Sequence, residues 1–299
     1  MSNEVKPVSY RSVTLVDYIG AGCAYVAIFV MKLLPFSWAS NLGGFLASRL
    51  GPFLKKSNVA RKNLKAAFPE KSPAEIVAIV GEVWDTLGRA AFEFPIMDRL
   101  LEGKDRDRID IEGVEHLHAA LASGKPVLFF GAHLGSWELI PMSTKLLNFK
   151  SNLFYRAPNN PLLLNLFTNR YIQGEVIPKG TPGAKRAMRL LKDGQNLGIL
   201  VDQKLNTGIP VPMFGRAAMT GTALAEFALR FEAPMVPIHC VRLPGARFRL
   251  SFLPPLEVPR TGARKDDIKT IMTTVNALLE SWIRKTPGQW LWLHKRWPD

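Results

Sequence analysis

Between Pro126 and Val201 short apolar runs alternate with stretches that carry helical signals, and this alternation narrows the fold more than any other feature of the chain. Residues 126–130, 153–155, 176–177 and 197–201 read as strands, while 137–147, 161–171 and 183–192 read as helices, the last stopped by Gly194. Strands separated by whole helices are joined by crossovers, so they lie parallel in a sheet covered by helices. The expected fold class is therefore α/β, with a mostly parallel central sheet flanked by helices. Downstream, 220–231 reads as a further helix, and 235–241 and 247–253 as strands joined by a Leu-Pro-Gly-Ala turn. In the second of these, Phe248, Leu250 and Phe252 alternate with Arg247, Arg249 and Ser251, which leaves one face wet. Residues 266–284 form a last helix before an aromatic, basic tail. Upstream, 57–101 reads as helical with Ser72-Pro73 marking a helix start, 109–114 as a short strand, and 115–123 as a helix closed by Gly124.

The N-terminal stretch Ile19 to Leu34, IGAGCAYVAIFVMKLL, carries only Lys32 as a charge, and Val13 to Leu15 extend it past Asp17 to roughly the ~20 residues a bilayer crossing needs. Phe36 and Trp38 follow where interfacial aromatics would sit. Arg49, Lys55, Lys56, Arg61, Lys62 and Lys65 then outnumber Lys6 and Arg11 on the other flank, so a spanning helix would leave the main domain in the cytoplasm. The alternative is a helix lying in the interface or packed on the domain. No cleavable signal is expected, because the apolar stretch starts well inside the chain. Residues 1–40 are thus assigned to a membrane-anchoring segment and 41–299 to one catalytic domain. Thirty-nine Lys and Arg against 25 Asp and Glu leave a net charge of +14, which favours an anionic partner: nucleic acid, acidic lipid headgroups or an acidic carrier protein. Cys23 and Cys240 both lie among apolar neighbours and read as two buried thiols rather than a disulfide or a metal site.

Chemistry is expected at KPVLFFGAHLGSWEL, residues 125–139. Here an apolar strand ends in Gly131 and delivers His133 to the carboxyl end of the sheet, where open α/β folds place their ligands. Glu138 follows five positions later. On a continuous helix that spacing puts two side chains on different faces, so the pair meets only if the Gly131 and Gly135 turn separates them. If they meet, the carboxylate fixes the imidazole tautomer and the other ring nitrogen can take a proton from a hydroxyl. If they do not, the stretch is a strand, a glycine turn and a helix. Ser136 reads as structural, since it lacks a Gly-x-Ser-x-Gly setting.

The blocks around this stretch resemble the late acyltransferases of lipid A biosynthesis, within the wider His-x4-Asp/Glu acyltransferase group. GAHLGSWE is similar to that family's catalytic block and NLKAAFPE to its early block. VDQ with GIPVPMFGRAAMTGTALAEFALRFEAPMVP matches its central block, and PGQWLWLHKRW its closing signature. The resemblance implies a glycerol-phosphate-acyltransferase-like fold. It also implies transfer of a fatty acyl chain from acyl carrier protein, or alternatively from acyl-coenzyme A, to a hydroxyl of a lipid A precursor. The site would be the cytoplasmic face of a bacterial inner membrane rich in anionic lipids.

In that reading His133 and Glu138 are catalytic, no covalent acyl-enzyme forms, and no cofactor or metal is required. Arg170 and Asp202 match the family's downstream Arg and Asp, as substrate-binding or oxyanion residues. Taken alone, they read as a surface cation on a helix and a strand-end turn former. Ala132 before the histidine and Glu138 in place of Asp depart from the glycerophospholipid branch, so the acceptor is expected to be a saccharolipid. A lysophospholipid or another glycolipid is the enzymatic alternative, and a non-catalytic basic membrane-binding protein the non-enzymatic one.

Three weaker signals do not add a site. Gly180-Thr-Pro-Gly-Ala-Lys-Arg lacks phosphate-loop spacing, and His116, His118, His239 and His294 make no metal-ligand set. Trp290, Trp292 and Trp297, set beside Lys295 and Arg296, suit headgroup contact or core packing as well as stacking on bases; no nucleic-acid partner is expected.

Overall fold

The computed structural model describes residues 12–155, 158, 160–163 and 172–298. Two apolar helices open it, α1 (Leu15–Leu33) and α2 (Phe36–Leu50), followed by α3 (Lys56–Ala67) and α4 (Pro73–Glu93). Ser72 caps α4 as the sequence suggests: its hydroxyl accepts from the Glu75 amide while the Glu75 carboxylate accepts from the Ser72 amide at 2.8 Å. The alternating part of the chain then supplies β1 (Ile109–Glu112), α5 (Val114–Leu121), β2 (Leu128–Gly131), α6 (Leu139–Leu146), β3 (Asn152–Tyr155), β4 (Val176–Pro178), α7 (Thr181–Lys192) and β5 (Leu197–Leu200). A hairpin of β6 (Lys204–Met213) and β7 (Arg216–Thr220), α8 (Ala223–Phe231), β8 (Met235–Leu243), β9 (Arg247–Phe252) and α9 (Arg264–Lys285) complete it.

Seven strands form one sheet in the order β1-β9-β8-β2-β5-β3-β4, and every pairing is parallel except β8 with β9. Strand alternation divides its apolar residues between two cores. Leu128 and Phe130 of β2 face a core built by α3, α4, α7, α8, α9 and the C-terminal tryptophans. Val127 and Phe129 face the other, built by α5, α6, Met31 of α1 and Phe36 of α2. A buried ion pair ties α4 to β8, with both guanidinium NH groups of Arg242 donating to the Glu93 carboxylate at 2.6 Å.

Several expectations change. The β6–β7 hairpin and α2 were not visible as separate elements. The residue 40 boundary falls inside α2, and Phe36 is core rather than interfacial, whereas Trp38 is exposed. The tail tryptophans are interior: Trp290, Trp292 and Trp297 are each at most 3% exposed, so neither headgroups nor bases reach them. Cys240 is buried, and burial pushes its thiol up to about 12, but Cys23 is exposed on α1.

Along α1 only a narrow stripe, including Asp17, Ala21 and Met31, is covered. Leu15, Val16, Ile19, Val26, Phe29 and Leu33 are open. The helix is long and apolar enough to cross a bilayer.

Candidate active site

Strands β2 and β5 lie side by side in parallel, with Gly131 opposite Leu200. The chain leaves both at the same edge of the sheet, and two residues further along each lies a titratable side chain, His133 on one and Asp202 on the other. They meet. His133 Nδ1 is 2.8 Å from Asp202 Oδ1, and the His133 amide donates to Asp202 Oδ2 at 2.9 Å, so the carboxylate holds both ring and backbone.

A third donor comes from the C-terminal tail, whose Trp290 Nε1 gives a 2.8 Å hydrogen bond to Oδ2. The tail lies across the histidine loop like a strap. Leu134 bridges Trp290, the Leu291 amide donates to the His133 carbonyl at 3.2 Å, and the Gly135 amide donates to the Gln289 carbonyl at 2.9 Å. Gln289 is fixed in turn, exchanging side-chain hydrogen bonds with the backbone of Arg242. Gly135 has φ +58°, and a β-carbon there would come within 2.7 Å of the Cys240 carbonyl, so the turn after His133 accepts glycine alone without rearrangement.

Asp202 is fully buried. Burial works against its charge, but the opposing charge of His133 and the hydrogen bonds it receives prevail, holding its carboxyl well below the usual carboxylate range. An acceptor ionised at neutral pH beside Nδ1 selects the tautomer with its proton on that nitrogen, leaving Nε2 as the basic one.

His133 is part of the wall of a cavity of about 300 Å³ shared with Trp137, Glu138, Ile140, Pro141, Leu153, Phe154, Lys179, Ile199, Leu200, Gln203 and Leu291. Most of that wall is apolar. A narrow apolar slit lies next to it, sharing Ile140, Pro141 and Leu153 and reaching Phe129, Phe149 and Ile238 between α6 and the sheet.

Glu138 belongs to the cavity, yet the Nδ1 position that the spacing argument offered it is taken by Asp202. After the Gly135 turn the chain winds directly into α6, and Glu138 becomes the residue that opens this helix, with Oε1 accepting from Trp137 Nε1 at 3.1 Å. Strand pairing brings Asp202 to the ring more directly than five residues of turn can bring Glu138. Arg170 lies outside the described residues, as does most of the helix expected at 161–171; within it, Pro161–Leu163 forms a single 3-10 turn.

Residues 92–101 do not line the His133 cavity. Ile96, Met97 and Leu100 are sealed in the core, and the apolar wall comes from α6, β3 and β5 instead. Ser136 is buried as a structural residue, its carbonyl 3.2 Å from the Cys240 thiol. Sequence reasoning missed Trp290, Gln289 and Lys179. Lys179 was the findable one, since it follows β4 at the same rim that carries His133 and Asp202.

A histidine held by a buried carboxylate at the rim of an α/β sheet, on the wall of a cavity with both apolar and polar lining, has the parts of an enzyme that activates a hydroxyl by general-base catalysis. Residues 9–299 match the family model described as bacterial lipid A biosynthesis acyltransferase, and the chain belongs to that family. It is 26% identical over 270 residues to a lipid A biosynthesis palmitoleoyltransferase of Escherichia coli (strain K12), covering 88% of this chain and 86% of the relative. To the lipid A biosynthesis lauroyltransferase of the same organism it is 25% identical over 284 residues, covering 93% and 90%. A phosphatidylinositol mannoside acyltransferase of Mycolicibacterium smegmatis is 22% identical over 287 residues, covering 90% and 88%. Family membership makes the protein an acyltransferase of lipid A biosynthesis.

Proposed function

We propose that the protein transfers a fatty acyl chain from an acyl carrier protein thioester to a hydroxyl of a lipid A precursor, with His133 as general base and Asp202 as the group that orients it. The observation that carries this reading is the 2.8 Å contact between His133 Nδ1 and Asp202 Oδ1 at the wall of that cavity. Nε2 takes the proton of the acceptor hydroxyl as its oxygen attacks the thioester carbonyl. The tetrahedral intermediate then collapses, the C–S bond breaks, and the imidazolium returns its proton to the departing thiolate. A thioester is already activated, so no acyl-enzyme and no cofactor is required.

Glu138 adds a negative charge on the cavity wall that favours the imidazolium as it forms, while Arg170 keeps the oxyanion or headgroup-phosphate role that the family resemblance gives it. The apolar part of the His133 cavity wall is placed to receive the start of the acyl chain. The open faces of α1, continued on α2 by Trp38, Phe45 and Leu50, attach the enzyme to anionic inner-membrane lipid, with residues 41–299 on the cytoplasmic side.

Mass spectrometry of lipid A from a deletion strain tests the reading. One acyl chain should be missing and should return with the wild-type gene but not with His133→Ala. Unchanged lipid A, with a chain missing instead from another extracted glycolipid, would support the second reading that the mannoside acyltransferase similarity allows.

A further inference from the structure

Helix α7 separates its residues sharply. Gly183, Ala187, Leu190 and Leu191 enter the core, whereas Lys185, Arg189 and Lys192 all face solvent. Spacings of four and three residues align these cations along one face, over about 10 Å of helix. Arg186 is not among them. It closes on Glu175 with a 2.6 Å ion pair and so neutralises that carboxylate. Arg230, exposed on α8, adds a fourth cation, its guanidinium reaching Met188 Sδ of α7 at 3.9 Å. Asp193 follows at the far end of the helix.

Two features of position decide what such a face is for. First, α7 begins two residues after Lys179, which lines the His133 cavity and donates to Gln203 at 3.2 Å, so the basic face starts at the rim of the active site. Second, α7 and α8 pack on the sheet face served by Leu128 and Phe130. Met31 of α1 and Phe36 of α2 pack on the opposite face. The cations therefore lie across the sheet from the core that takes in Met31 of α1 and Phe36 at the start of α2, on a side suited to a soluble partner.

We infer that Lys185, Arg189, Lys192 and Arg230 form the docking surface for an acidic protein that carries the acyl thioester on a flexible arm and delivers it past Lys179 to His133. The inference rests on the acyl-transfer reading above and adds the surface by which the donor is recognised. A small thioester would need only the cavity. A row of cations running away from its rim has a use when the donor is attached to a macromolecule of opposite charge, because such charges set encounter rate and partner choice.

The test uses the full-length enzyme in detergent with a lipid A precursor as acceptor and two donors, lauroyl-acyl carrier protein and lauroyl-pantetheine. In the triple variant Lys185→Glu, Arg189→Glu, Lys192→Glu, KM for the carrier-borne donor should rise about tenfold or more, and the effect should shrink as salt is raised. Turnover of lauroyl-pantetheine should stay within about twofold of wild type, which also shows that the variant is folded. An unchanged KM for the carrier-borne donor, or equal losses with both donors, overturns the inference. So does loss of sedimentation with phosphatidylglycerol vesicles while the carrier KM is unchanged, which would assign the cations to lipid. If wild-type enzyme acylates from neither donor, the acyl-transfer reading itself fails, and the docking surface with it.

Discussion

Asp202 shows why one buried carboxylate can organise a site. It accepts three hydrogen bonds, two from His133 and one from Trp290, and contacts no solvent. Its ionisation is linked to folding. Because its folded pKa lies below the unfolded value of about 3.9, the stability it contributes is fully present above that value and is lost as pH falls through and below it. The stability difference between wild type and Asp202→Asn, measured by urea unfolding, should therefore be smaller at about pH 3 than at about pH 5. A difference that stayed flat into acid would mean that the carboxyl is not ionised by virtue of its native contacts.

At the scale of elements, the sequence revealed the sheet better than the site. Apolar runs of two to five residues between helical stretches placed β2, β3, β4 and β5 within a residue or two of their observed bounds, because burial on both faces leaves a continuous apolar signature. The β6–β7 hairpin left no such mark: half of Lys204–Met213 is exposed, and it carries two prolines. Asp202 was legible as a strand-end residue able to reach the rim that carries His133, but its direct pairing with the ring was hidden for a different reason. Asp202 lies 69 residues away and becomes its neighbour only through the β2–β5 register, whereas Glu138 was close in sequence and drew the assignment. Trp290 is more distant still, and no local pattern says which acceptor a buried indole N–H will find.

The same distant pairing governs stability in the Glu93–Arg242 bridge between α4 and β8, whose side chains are 1% and 8% exposed. Glu93→Ala strands a buried guanidinium and should cost about 3–5 kcal/mol in urea unfolding, while Glu93→Leu combined with Arg242→Met should recover most of it. A loss below about 1 kcal/mol would place the pair in effective contact with water.

At the scale of the molecule, the α/β frame that carries the site and an apolar helix with an open face share one chain. The exposed side chains of α1 include Val26, Phe29 and Leu33, on the side opposite the stripe that packs on the domain. Replacing these three with serine should shift the protein from the membrane pellet to the soluble fraction and lower turnover of acceptor presented in vesicles. Turnover of detergent-solubilised acceptor should change little; equal loss in both formats would make α1 part of the folded core instead. The proposed mechanism turns on which acid serves His133, and the most direct measurement is steady-state kinetics of purified Asp202→Asn and Glu138→Gln beside wild type. The arrangement predicts that Asp202→Asn lowers kcat about a hundredfold or more with KM little changed, and that Glu138→Gln loses less. Near-wild-type turnover in Asp202→Asn, with activity abolished in Glu138→Gln, would contradict it.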